Sequence, residues 1–169
     1  MNMDKYDSNE YLLKVTERLK NKGFRITNDV TFNNLIFTHV AKRYNFAIER
    51  GGFCNTYFIF TKFITPDINT LNDFSTKAFK YALTTGGIHP PRGFLYGMWC
   101  FAVAITDAIE DKTEEIIKKM GFPKHWSAFE KLIVYSLENK MLYYCETTPM
   151  WGSGYHDKDR QTIKKMLSP

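Results

Sequence analysis

The chain lacks the features that mark several large protein classes. Cysteine is scarce: Cys54, Cys100 and Cys145 form an odd set with no Cys-x-x-Cys pair. All three sit in aromatic or aliphatic runs, where a free cysteine acts as a small buried hydrophobe. A disulfide framework or a cysteine-rich zinc site is therefore not expected. There is no long hydrophobic run either. The longest uncharged apolar stretch, Phe94 to Ile105, falls short of the roughly 20 residues that span a bilayer. Nothing in the opening "MNMDKYDSNEY" resembles the apolar core of a signal peptide, so the expected location is the cytoplasm, with reduced thiols and no membrane partner. No Pro-, Gly- or Ser-rich linker, low-complexity tract or clear internal repeat divides the sequence. The excess of one charge is small, 23 basic against 18 acidic residues, which allows an acidic partner without demanding one.

Aromatic residues, by contrast, make up 16% of the chain, 14 of them Phe. Disordered chains are poor in aromatics, and 169 residues can bury a sizeable core without metals or disulfides. One folded domain over 1–169 is expected.

Hydrophobic spacing supplies the elements. Asp7 and Glu10 have capping-box spacing, with Ser8 as a competing cap. Leu12, Val15 and Leu19 follow a helical stripe that Gly23 stops. "NNLIFTHVAKR" reads as a strand, and "YNFAIER" as a second strand or its continuation. "TYFIFTKF" is too apolar on both faces for a sheet edge. A helix then runs toward Gly86–Gly87 with Thr70 as its expected cap and Leu71, Phe74, Ala78, Tyr81 and Ala82 inward. Phe94 to Ile105 reads as a buried strand. A short helix is expected over 113–120, capped by Thr113, with Ile116, Ile117 and Met120 inward. "FEKLIVYSLENKMLYYCE" reads as a hairpin, and a last helix starting near Asp157 should bury Ile163, Met166 and Leu167. The result is an α+β fold of order α-β-β-α-β-α-β-β-α, a mainly antiparallel sheet of about five strands with helices packed on it.

Three loops carry the candidate chemistry. "TTGGIHPPRG" holds His89 and Arg92, "GFPKHW" holds His125 and Trp126, and "ETTPMWGSGYH" holds Glu146, Trp151 and His156. Histidine titrates near neutral pH, so His125 and His156 are the candidate acid–base residues. Arg92 offers a fork for a carboxylate or phosphate. Trp126 and Trp151 would be apolar walls, with His89 and Glu146 as further polar contacts. The ordinary alternative is that Pro, Gly and Trp in these loops only make turns and close the core. No histidine pair has the i, i+4 spacing of a helical metal motif, so neither a metal nor another cofactor is implied.

Other chemistries are thinly supported. Nucleases of the restriction-enzyme type place an Asp and an E-x-K tripeptide around a mixed sheet. Asp67, Glu138-Asn139-Lys140 and Glu110-Asp111-Lys112 supply those letters. The tripeptide should lie along an inner strand, whereas "ENK" reads as a turn. Nucleic-acid binding rests on Lys14, Arg18, Lys20, Lys22 and Arg25 and on Lys158, Arg160, Lys164 and Lys165, all interleaved with acids as on a solvated helix face. "GSG" at 152–154 lacks the frame of a nucleophile elbow.

"PRGFLYG", "KHWSAFEKLIVYSLENKMLYY" and "TPMWGSGY" together resemble a pattern of small, functionally uncharacterised prokaryotic proteins with Pro-Arg-Gly, Lys-His-Trp and Thr-Pro-x-Trp-Gly loops. The resemblance spans roughly residues 74–165 and implies a single α+β domain without supplying an activity. The reading of the sequence is thus a binding or interaction module of unassigned ligand. A small enzyme using loop histidines on an anionic substrate is the alternative, nucleic-acid binding the second. Self-association stays open.

Overall fold

A computed structural model describes residues 7–47, 52–86, 96–121, 123, 125–147 and 153–169, and within them every side chain except those of 47 and 153–155. The elements are α1 (Ser8–Asn21), β1 (Arg25–Phe32), β2 (Leu35–Ala47), β3 (Gly52–Phe63), α2 (Ile68–Thr84), β4 (Tyr96–Thr106), α3 (Asp111–Lys119), β5 (Ala128–Ser136), β6 (Met141–Tyr144) and α4 (Ser153–Leu167). The fold is α+β, as expected, but the sheet differs from expectation. Among the described residues it has six strands in the order β1-β2-β3-β4-β5-β6, and it is mixed. β1, β2 and β3 form an antiparallel meander, β3, β4 and β5 are parallel, and β6 returns antiparallel on β5. Helices α2 and α3 are therefore crossover connections between parallel strands, as parallel pairing requires.

The added strand is "RITNDVTF", whose alternation is blurred because it is an edge with few buried side chains. Its turn is well specified. Asn33 and Asn34 take φ of 48° and 61° between the paired residues Phe32 and Leu35, the two-residue turn that matches strand twist and favours Asn. Asp29 is also left-handed, at φ 52°. Upstream of it Ile26 packs on one side of the sheet, and downstream Val30 and Phe32 pack on the other.

Two apolar layers sandwich the sheet. On one face α1 and α4 cover Phe58, Phe60, Phe101, Val103, Ile133 and Tyr135. Tyr11 stacks on Tyr135 at 3.7 Å between ring centroids, and its hydroxyl donates to the Leu167 carbonyl at 2.8 Å. Ile163, Met166 and Leu167 are buried there, as the helical stripe predicts. On the other face α2 and α3 cover Tyr57, Ile59, Met98, Cys100, Ala102 and Val134. β3 and β4 are thus buried on both sides, which explains their continuous apolar runs. The three cysteines are buried thiols, not joined in disulfides.

Several helix ends differ from the sequence expectation. Asp67, not Thr70, caps α2, and its carboxylate accepts from the Thr70 amide at 2.7 Å. Glu110 rather than Thr113 occupies the cap of α3, Thr113 is buried, and Ile116 faces outward at 37% exposure. α4 starts at Ser153, a turn before Asp157.

Candidate ligand-binding cleft

Successive residues of β5 point to opposite faces, and both faces are covered. Glu130 and Lys131 are therefore both buried, at 6% and 4% exposure. Burying a charge is costly unless it is paired, and each of the two has built its own polar cluster.

Glu130 lies on the α2 side. Ser75, from the middle of α2, donates its hydroxyl to Oε1 at 2.7 Å. His125 places Nε2 3.0 Å from Oε2. The imidazole also stacks on Phe79 of α2, with centroids 4.1 Å apart. What brings His125 back onto β5 is a tight turn. His125 bridges Ala128, Ser127 takes φ of 51°, and the Ser127 hydroxyl donates to the Tyr96 carbonyl at 2.7 Å. That turn throws Trp126 outward, 78% exposed. Opposite Glu130 on β4 stands Cys100, whose thiol is pushed up by complete burial and then by the carboxylate. Beside this group opens a cleft of about 150 Å³ between α2, β5 and the segment after α3. Met120, Pro123 and Leu132 give it apolar walls, and Ser75, Thr76, Asn72 and Glu130 give it polar ones.

Lys131 lies on the α4 side. Its ammonium pairs with Asp159 at 2.8 Å, both side chains almost fully buried, and lies 3.3 Å from Nδ1 of His156. Burial, then the Lys131 charge, holds His156 below the ordinary histidine value. Arg160 donates to the Glu146 carbonyl at 2.7 Å and to Asp157 at 3.0 Å. The space among Lys131, Thr147, His156 and Arg160 is about 10 Å³, room for about one water.

The two candidate histidines thus belong to different faces of the sheet and do not share a pocket. Trp126 is exposed beside His125, and Glu146 lies exposed just after β6, its amide donating to the Lys118 carbonyl of α3 and its carbonyl accepting from Arg160 of α4. His89, Arg92 and Trp151 lie outside the described residues. Ser75, Glu130, Lys131 and Asp159 were missed as site residues. The signal that could have found them is the Glu-Lys pair inside the apolar run "FEKLIVYS": two opposite charges at the start of a strand covered on both faces.

The nuclease letters fall in caps and turns. Asp67 and Glu110 sit at helix caps, and Glu138-Asn139-Lys140 forms the β5–β6 turn with Lys140 at φ 57°. Among the described residues no group of three His, Cys, Asp or Glu is placed to hold a metal ion. The basic clusters are partly engaged: Arg18 donates to the Met166 and Ser168 carbonyls, and Lys14 pairs with Glu10. Among the described residues no helix is long and apolar enough to cross a membrane. No family model, curated protein or solved structure matches the chain, so no relative carries a function across to it.

Proposed function

We propose that this protein is a small-molecule-binding domain whose site is the cleft at Glu130. The observation that carries this reading is the carboxylate itself, a nearly buried acid in the wall of an open, mostly apolar cleft. An ionised carboxylate offers about four acceptor positions. Ser75 and His125 take two of them, which leaves acceptor capacity for a ligand. Apolar clefts with a few fixed polar groups are the usual form of small-molecule sites. The expected ligand is compact, with a short apolar body against Met120, Pro123 and Leu132 and an amine, amide or hydroxyl group donating to Glu130. The anionic ligand suggested by Arg92 concerns a residue outside the described ones, whereas this cleft, walled by a carboxylate, favours a ligand that donates.

Calorimetric titration with n-butylamine, n-butanol and butyrate tests the reading. Amine and alcohol should bind and butyrate should not, and a cleft-filling Thr76→Trp variant should abolish the heat. Equal binding of butyrate, or heat unaffected by Thr76→Trp, would overturn it.

A further inference from the structure

We propose that the cleft takes its ligand as a small primary ammonium ion, and that His125, which holds Glu130 from outside the cleft, loosens that ligand when it takes up a proton. The inference rests on the binding reading for the seat of the ligand, and adds the ligand's charge and its control.

The two buried charges of β5 are balanced differently. Lys131 has a permanent counter-ion inside the fold, Asp159 at 2.8 Å. Glu130 has none among the described residues. The ionisable side chain in contact with it is His125, a cation only when protonated, and Ser75 gives it a neutral hydrogen bond. A buried carboxylate is costly without a counter-charge. The cleft wall does not supply one, since none of its described residues is lysine, arginine or histidine. An ammonium ion seated there would supply it. Its N–H groups find acceptors in Glu130, Asn72 and Thr76, and a short apolar tail finds Met120 and Leu132, all of which line the cleft.

His125 reaches the same carboxylate without lining the cleft. Its Nε2 lies 3.0 Å from Oε2, its ring is held by stacking on Phe79, and its side chain is 30% exposed, so solvent can protonate it. The imidazolium then becomes the counter-ion of Glu130 and cancels the charge that holds the ligand. Proton and ligand compete for one negative charge without touching each other. By linkage, bound ligand must make His125 harder to protonate by the same factor.

Other ionisable groups on the packed elements are already committed. Opposite Glu130 on β4, the Cys100 thiol is pushed up by burial. On α2, Lys77 pairs with Asp73, and on α3, Lys118 and Lys119 pair with Glu114 and Glu115. Cys145 lies in the cleft wall, and thiols ionise on the alkaline side, so the test stays at pH 7.5 and below.

The test is calorimetric titration of the full chain with n-butylamine at pH 5.5, 6.5 and 7.5, where an alkylamine stays charged. Kd should rise by about 5–150-fold from pH 7.5 to pH 5.5, the usual span of coupling between two sites. n-Butanol, a donor without charge, should bind more weakly and with a shallower profile. The His125 ring protons, followed by NMR in the wild-type chain, should titrate at lower pH when the amine is saturating. His125→Gln should flatten the profile, and the ring titration decides the matter even where that variant fails to fold. A Kd for the amine that is constant or falls on acidification, an unmoved His125 midpoint, a profile that survives in His125→Gln, or butanol binding as tightly as the amine would each overturn the proposal and leave the binding reading standing. No saturable binding of either compound at any pH would overturn both.

Discussion

Glu130 and Lys131 are neighbours on β5 whose charged groups lie on opposite faces of the sheet, each nearly buried and each beside one histidine. The pair shows how a doubly covered strand can carry two separate polar clusters, one at an open cleft and one in a closed lock between β5 and α4.

The lock on the α4 side should behave as a buried ion pair. Lys131→Met or Asp159→Ala alone should cost about 3–5 kcal/mol, since each leaves a buried charge unpaired. The double replacement Lys131→Met/Asp159→Leu should recover most of the loss. Urea unfolding midpoints measure this, and two small, additive single effects would show that the pair is solvated.

Stability should fall on acidification below neutrality. His156 is held below its ordinary value of 6.5 by burial and the charges of Lys131 and Arg160, against the opposing pull of Asp159 and Asp157. His39 is lowered mainly by burial. The unfolded chain therefore binds more protons than the folded one between the folded values and 6.5. The contribution is complete above about pH 6.5 and is lost as pH falls from there through the folded values. His156→Gln should flatten the thermal midpoint between pH 7.5 and 5, and a midpoint that rises on acidification would contradict the sign.

Gly97 is required by Trp99. A Cβ at position 97 would meet the Trp99 ring at 2.5 Å, and that ring is stacked on Phe129. Gly97→Ala should destabilise by about 1–3 kcal/mol, the usual cost of overpacking, and should shift tryptophan fluorescence. Unchanged denaturant midpoint and emission would show that the ring yields freely.

The β1–β2 turn makes an opposite prediction for two substitutions at one site. Asn34 sits at φ 61°, so Asn34→Ala should cost about 1–2 kcal/mol, while Asn34→Gly should be neutral or stabilising. Chemical denaturation of the two variants decides it, and equal midpoints would remove the turn from the account.

Much of this fold was legible because its signals are local. The stripe on α1, the unbroken apolar run of β3, the burial of Ile163, Met166 and Leu167 and the β5–β6 turn follow from spacing alone. Parallel pairing was not legible. Whether β3 and β4 run together depends on α2 crossing the sheet, and an apolar strand looks the same on a parallel or an antiparallel neighbour. β1 was missed because an edge strand with a left-handed Asp29 keeps no clean alternation. Histidine stands out by its chemistry, so His125 and His156 could be picked out as candidates, and each lies beside a buried charge. Their separation onto two faces was hidden, because it is decided by the parity of Glu130 and Lys131 on a strand whose two sides are both covered.

The central claim is that the cleft beside Glu130 is where this protein meets its ligand. The most direct test is a backbone amide NMR titration of the full chain with n-butylamine, repeated on Glu130→Gln. Shifts should be saturable and concentrated at Ser75, Thr76, Met120, Glu130 and Leu132, and should vanish in the variant. Saturable shifts centred elsewhere, or shifts at the cleft that persist without the Glu130 carboxylate, would contradict the account.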